Sequence, residues 1–340
     1  MERKDVPVGI MSVGAYIPET YMTAAELAHK SGIPENVIVE KMGLRRKPVP
    51  GPDDHTNAMG VWAAQEAIAR AGIDPEEIDL VICTTEEHKE YFLWVAGIKM
   101  AYDLGAHRAW AFDMNIKCGT AAAALKIAKD MMIADDEIST ALVAGGYRNL
   151  DFIDYTNQRT RFMFNLAAGG GAFLLRKNHP CNRVLESAII VDGSFSMDVL
   201  VPAGGTVMPI SHEALDKRLN YLEVPDPEGM KERLDAKSMQ NFLQVIRDSL
   251  RKSGYTAKDI DYLAILHMKR SAHEYVLQEL GLRPEQTIYL EDYGHVGQQD
   301  QALSIKLGLA QGKIVEGDIV VMVGAGIGYA WGATTVRWGQ

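Results

Sequence analysis

A chain of 340 residues with 47% hydrophobic, 24% charged and 8% aromatic residues is large enough for one big domain or two packed halves. A net charge of -10 without a basic face argues against a nucleic-acid binder, and no apolar run approaches the ~20 residues that a membrane-spanning helix needs. The three cysteines (Cys83, Cys118, Cys181), with no CxxC pair and no HExxH, exclude a disulfide framework and make a metal site unexpected.

The N-terminal MERKDVPVGIMSVGAYIPET carries charge but no apolar stretch before a small-residue cleavage site. No signal peptide is expected, and the cytoplasm is the expected compartment. PVGIMSVGAYIP reads as a first strand. Arg45, Arg46 and Lys47 form a short basic run that reads as solvated surface, as do Lys269 and Arg270; the alternative is a basic mouth for an anionic ligand. AAQEAIARAGIDPEEIDLVICTTEE (63–87) then reads as an amphipathic helix closed by Gly72, an Ile78-Asp79 pair and a buried strand. Glu86 and Glu87, just past that strand, read as solvated loop charges. RAWAFDMN is a strand that gives way at Cys118 to the small-residue helix GTAAAALKIAKDMM, followed by the apolar strand TALVAGGY.

The same pattern recurs. VIRDSLRKSGYTAKDIDYLAILHMK (245–269) repeats the helix, the closing glycine (Gly254), the Ile260-Asp261 pair and the strand, and VGQQDQALSIKLGLAQG and DIVVMVGAG repeat the next helix and strand. Helices alternating with apolar strands predict mostly parallel sheets covered on both faces. Two copies predict two halves, 1–180 and 181–340, about a pseudo-twofold axis. Their alignment sets His267 opposite Thr85 and His295 opposite Lys117, which brings both histidines toward Cys118.

Cys118 stands at a helix start, where free N–H groups and the helix dipole favour a thiolate; Lys117 is expected to add to this if its ammonium turns inward. Neutral imidazoles at His267 and His295 can donate to a developing oxyanion or enolate. The Val323-Gly324-Ala325-Gly326-Ile327-Gly328 run leads into a strand, not a helix, so it is not a dinucleotide fingerprint; it is either a turn presenting a backbone N–H to a ligand or a plain hairpin.

MGLRR at 42–46, the AFDMNIKCGTAAAAL elbow, VPAGGT at 201–206, LAILH, YGHVG and GIGYAWGATTVRW together resemble the beta-ketoacyl-acyl-carrier-protein synthase III branch of the thiolase superfamily. The resemblance implies the five-layered αβαβα thiolase-like fold, a homodimer, and a place in fatty acid or polyketide biosynthesis. It implies Cys118 as the acylated nucleophile, His267 as a catalytic histidine, and the backbone N–H groups of Cys118 and Ile327 as the oxyanion hole. Arg45, Lys269 and Arg270 become candidates for binding acyl-CoA or acyl-carrier-protein thioesters, with no resident cofactor. The implied reaction is decarboxylative condensation with a malonyl thioester to a 3-oxoacyl thioester. This chain departs from the branch in carrying His295 in place of asparagine, Met268-Lys269-Arg270 after His267, and no adenine-stacking tryptophan. The alternatives are a hydroxymethylglutaryl-CoA-synthase-like or other non-decarboxylating acyltransferase, and a non-catalytic partner subunit. Residues 147–165 and 85–100 are expected to line the acyl tunnel.

Overall fold

The computed structural model describes residues 6–340. Its strands are β1 (Val8–Tyr16), β2 (Tyr21–Thr23), β3 (Arg46–Pro48), β4 (Leu80–Cys83), β5 (Trp110–Asp113), β6 (Thr140–Tyr147), β7 (Gly169–Lys177), β8 (Arg183–Val191), β9 (Tyr262–Ile265), β10 (Ile319–Gly326) and β11 (Ala330–Arg337). The helices used below are α1 (Thr56–Ala71), α2 (Ala96–Leu104), α3 (Thr120–Ala134), α4 (Pro227–Lys252), α5 (Arg270–Leu280) and α6 (Asp300–Ala310).

The main sheet runs β5-β4-β6-β7-β1-β8-β11-β10-β9, and β1 joins β8 through the Gly9–Arg183 pair. Read outward from that joint, β1-β7-β6-β4 on one side matches β8-β11-β10-β9 on the other, which is the duplication seen in the sequence. β5 has as its counterpart the Leu263–Thr287 bridge beside β9. Helices cover the outer face of each half: α1 packs on β1, β6 and β7 with α2 beside it on β4 and β5, and α4 packs on β8, β10 and β11 with α5 beside it. Between them, α3 and α6 touch strands of both halves, giving five layers. The middle layer holds the central core, with Ile10, Leu80, Ile82, Leu125, Phe173, Tyr262, Val320 and Met322 all buried.

The sheets are mixed, not mostly parallel as the alternation of helices and strands suggests. β4 runs parallel to β5 and β6, and β9 to β10, whereas β1–β7, β6–β7, β8–β11 and β10–β11 are antiparallel. The 327–329 turn between β10 and β11 explains one case, since a link that short cannot make the crossover that parallel neighbours need.

The repeated Ile-Asp pair has a structural job. Asp79 accepts from Ser139 N (2.9 Å) and Thr140 N (3.0 Å), and Asp261 accepts from Ile319 N (2.8 Å). Each carboxylate thereby registers its strand against the start of the next one. Glycine does the corresponding work on the outer face of the first half. A Cβ on Gly146 would lie 1.7 Å from Thr56 O, and one on Gly170 would lie 2.1 Å from Met59 O, so α1 sits backbone to backbone on β6 and β7. We expect Gly146→Ala to destabilise the protein by about 3 kcal/mol, because a main-chain carbonyl cannot swing aside as a side chain can. Urea unfolding would check it, and an unchanged midpoint would contradict this packing.

Candidate active site

Cys118 lies in the tight passage from β5 to α3. The Thr120 hydroxyl accepts from Ile116 N (2.9 Å) and donates to Lys117 O (2.5 Å), closing the turn around the cysteine. Lys117 takes a left-handed φ of +56°, a conformation that costs a non-glycine residue about 1–2 kcal/mol. Cys118 itself is 5% exposed.

His295 stands in a turn ahead of α6. Its backbone is pinned on both sides, with His295 N donating to Asn165 O and Ala167 N donating to His295 O, each at 2.9 Å. Its Nε2 lies 3.1 Å from Cys118 Sγ, and its Nδ1 lies 2.6 Å from Asp300 Oδ2. Asp300, fully buried at the first position of α6, also accepts from His267 N (2.8 Å) and Val296 N (2.7 Å). This is a cysteine–histidine–aspartate line. Asp300 holds the proton on Nδ1, so a neutral His295 faces the sulfur with a bare Nε2, a base rather than a neutral donor. Burial of the ring opposes its charge, but Cys118 and Asp300 outweigh burial and hold the imidazolium well above the ordinary range. Burial pushes the Cys118 thiol up, and His295 pulls it part of the way back. The helix start therefore does not by itself make Cys118 a ready thiolate; the neighbouring imidazole supplies the activation.

Lys117 feels the charge of Cys118, but its ammonium is taken up mainly by two acids. Its ammonium pairs with Glu87 and lies 3.8 Å from Glu86 Oε2. Glu86 is 3% exposed and not the solvated loop charge that the sequence suggested. The chain past β4 turns inward, where Asn149 Nδ2 donates to Glu86 Oε2 at 2.7 Å and Oε1 has no hydrogen-bond partner among the described residues. Burial drives this carboxyl up, against the pull of Lys117 and Asn149. Its field is felt at both Cys118 and His295, so it belongs to the same pocket. Glu87 is exposed, as expected.

His267 is placed beside this line, with both ring nitrogens in contact with protein groups. Its Nδ1 meets Asn165 Nδ2 at 2.9 Å, and its Nε2 meets Gly43 O at 3.0 Å. The carbonyl needs a donor, so the proton sits on Nε2 and Nδ1 accepts from the amide. Burial pushes the imidazole down to about 4, in keeping with a neutral ring. Both nitrogens are thus occupied by protein groups, while the partner of the sulfur is His295.

Ile327 is half-buried in the loop after β10, and the approach of that loop is close. A Cβ on Gly326 would lie 2.8 Å from Cys118 N. Ile327, Ile116, Lys117, Val191 and Tyr329 share a cavity of about 280 Å³. Among the basic candidates, Arg45 pairs with Glu291 and Asp292 (both 3.1 Å) and Arg270 pairs with Glu291 (2.7 Å), so their charges are largely answered within the protein. Lys269 is exposed just before α5. Lys47 is not surface at all, with 0% exposure, because strand alternation in β3 turns Arg46 out and Lys47 in.

Sequence reasoning did not single out Asp300, nor Asn165 and Asn149 within the 147–165 segment expected near the tunnel. Asp300 follows His295 by five residues at a helix start, a visible spacing. Asn165 and Asn149 come from a distant stretch of chain and leave no local signal. Removing the imidazole in His295→Ala should raise the midpoint of Cys118 alkylation by iodoacetamide by roughly one to two pH units, since the pull on the thiolate is lost. Superimposable rate–pH curves for the two proteins would contradict the pairing.

The 3-oxoacyl-[acyl-carrier-protein] synthase III family profile matches residues 112–193, and the profile of its C-terminal part matches residues 250–338. A beta-ketoacyl-[acyl-carrier-protein] synthase III from Symbiobacterium thermophilum is 30% identical, over 98% of this chain and 99% of its own length. The solved 3-oxoacyl-(acyl carrier protein) synthase III, FabH, of Pseudomonas aeruginosa superposes with a TM-score of 0.84 at 22% identity, over 98% of this chain and 99% of that one. OleA of Xanthomonas campestris, solved with bound lauric acid and lauroyl-CoA, superposes with a TM-score of 0.81 at 17% identity, over 98% and 99%. The five-layered fold is the one these enzymes share. With a relative of that identity aligned along nearly its whole length, the chain belongs to the beta-ketoacyl-acyl-carrier-protein synthase III family of condensing acyltransferases.

Proposed function

We propose that Cys118 is acylated by an acyl-CoA or acyl-carrier-protein thioester and that the acyl group is then condensed with a second thioester. The observation that carries this is the Cys118 Sγ–His295 Nε2 contact of 3.1 Å, backed by Asp300. Nε2 takes the thiol proton as sulfur attacks the thioester carbonyl, the N–H groups of Cys118 and Ile327 receive the oxyanion, and the proton leaves with the departing thiol. A malonyl thioester then loses carbon dioxide, its enolate carbon attacks the acyl carbonyl, and Cys118 departs as a thiolate; one proton taken up from solvent restores the thiol–imidazole pair with His295. The product is a 3-oxoacyl thioester, of the kind that fatty acid and polyketide synthesis extend. His267 serves as a neutral brace that keeps Asn165 and the Asp300 end of the site in place. No resident cofactor is needed for these steps, and we place the reaction in the cytoplasm.

One observation supports a second reading of the donor half-reaction. Glu86 presents a buried, unpartnered Oε1 in the Cys118 pocket, and a carboxylate there can remove an α-proton from an acyl thioester that carries no carboxyl group. Decarboxylation makes the same enolate without a base. Glu86→Gln therefore separates the two. With decarboxylation, turnover on a malonyl thioester should fall less than about tenfold; with proton abstraction, turnover should fall by about 10²–10⁴ and α-deuterium exchange should vanish.

The acylation step has its own test. Intact mass after incubation with a panel of acyl-CoAs and acyl carrier proteins should rise by one acyl group, and the gain should be absent in Cys118→Ala. No adduct with any donor would sink the enzyme reading in favour of a non-catalytic partner subunit.

We also propose a homodimer. β5 is an edge strand that exposes Trp110 (58%), and the segment before it exposes Phe92 (89%), Leu93 (105%) and Tyr102 (68%), a cluster of apolar surface that a monomer would leave to water. The tunnel role expected for residues 85–100 would then be filled at the junction of two copies. Sedimentation equilibrium should give twice the 37.5 kDa of one chain, and Trp110→Lys should move the population toward monomer.

A further inference from the structure

Lys47 is an amine buried where neither the chemistry nor the surface uses it, and burial pushes it down to about 7. Among the described residues its ammonium makes no ion pair, which for a side chain of 0% exposure is an expensive placement. All three N–H groups are nevertheless taken: Nζ donates to Tyr155 Oη (2.9 Å), Phe164 O (2.7 Å) and Leu166 O (2.6 Å), and it lies 5.0 Å from the centre of the Tyr155 ring. The two carbonyls flank Asn165. Asn165 O receives His295 N, and Asn165 Nδ2 meets His267 Nδ1. One residue further on, Leu166 forms a bridge with His295, and Ala168 N donates to Pro48 O (3.1 Å), the next residue along from Lys47.

We infer that Lys47 is a positioning residue for the reactive pair: its ammonium holds the peptide units on both sides of Asn165, and Asn165 in turn sets the His295 backbone and the His267 ring. A neutral side chain of similar length, such as methionine, fills the same space but withdraws the donor from both carbonyls. The Asn165 unit then gains freedom, and His295 Nε2 loses its fixed distance to the sulfur. Placement errors of this size at a reacting pair reduce rate more than binding.

The inference rests on the Cys118–His295 pair proposed above, not on which thioester that pair accepts, so the primary readout needs no substrate. Iodoacetamide alkylation of Cys118 is followed against pH in the native protein, Lys47→Met and His295→Ala, with thermal melts and circular dichroism in parallel. Lys47→Met should shift the alkylation midpoint toward that of His295→Ala by about half a pH unit or more. Condensing kcat should fall about tenfold or more, with KM changed less than about threefold. A folded Lys47→Met protein with the native alkylation profile, whatever its melting temperature, would show Lys47 to be structural only and overturn the inference while leaving the reactive pair intact. If His295→Ala also alkylates like the native protein, both fall. If Lys47→Met does not fold, Tyr155→Phe removes a single acceptor and should shift the profile the same way by a smaller amount; an unmoved profile in that variant overturns the inference.

Discussion

The site is organised around a carboxylate that has no water. Asp300 is fully buried, and an ionised carboxylate in such a place is tolerable only if its oxygens are matched by donors. The donors come from His267 N, Val296 N and His295 Nδ1, and the N-terminus of α6 adds the favourable end of its dipole. Satisfying Asp300 therefore fixes the end of β9, the turn before α6 and the tautomer of His295 in one stroke. The face that His295 turns to Cys118 follows from that electrostatic requirement.

The second constraint is the closeness of the two halves. Cys118 comes from the first half and His295 from the second, and they meet because backbone meets backbone across the join. A Cβ on Gly324 would lie 2.6 Å from Cys118 O, and one on Gly326 would lie 2.6 Å from Ile116 O. Gln298 donates to Thr84 O, and Gln299 Nε2 reaches Thr84 Oγ1 at 3.1 Å, tying the end of β4 to the segment just past His295. The left-handed Lys117 belongs to the same fit: a Cβ on Gly326 would lie 2.6 Å from Lys117 Cβ and 2.8 Å from Cys118 N.

Charge placement in the pocket divides the labour among three kinds of group. His295 and Asp300 form the proton-handling line, and Glu86 with Lys117 forms a second, partly compensated pair close by. Lys47 sits one layer behind, bound to two carbonyls and the Tyr155 hydroxyl. The cationic neighbours that sequence reading would have given the substrate, Arg45 and Arg270, instead face Glu291 and Asp292.

Much of this was legible in the chain itself, because the signals were local and periodic. The Gly-to-Ile-Asp spacing, the apolar strand runs and the small-residue helix after Cys118 fix helix ends, strand burial and close packing over a few residues each, and their repetition implied the duplication and the nearness of Cys118 and His295. What the chain could not show was direction and partner. Glu86 reads the same as Glu87, and Lys47 the same as Arg46; only the return of Asn149 and of the 155–166 segment decides which member of each pair is sealed from water. His267 likewise has the position of a catalytic histidine, yet Gly43 O and Asn165, both more than a hundred residues earlier in the chain, claim both nitrogens. Sequence determines which side chains reach the strand ends, since that depends on local periodicity; the tertiary structure decides which of them face the reacting atoms, since that depends on hydrogen-bond partners supplied by remote backbone.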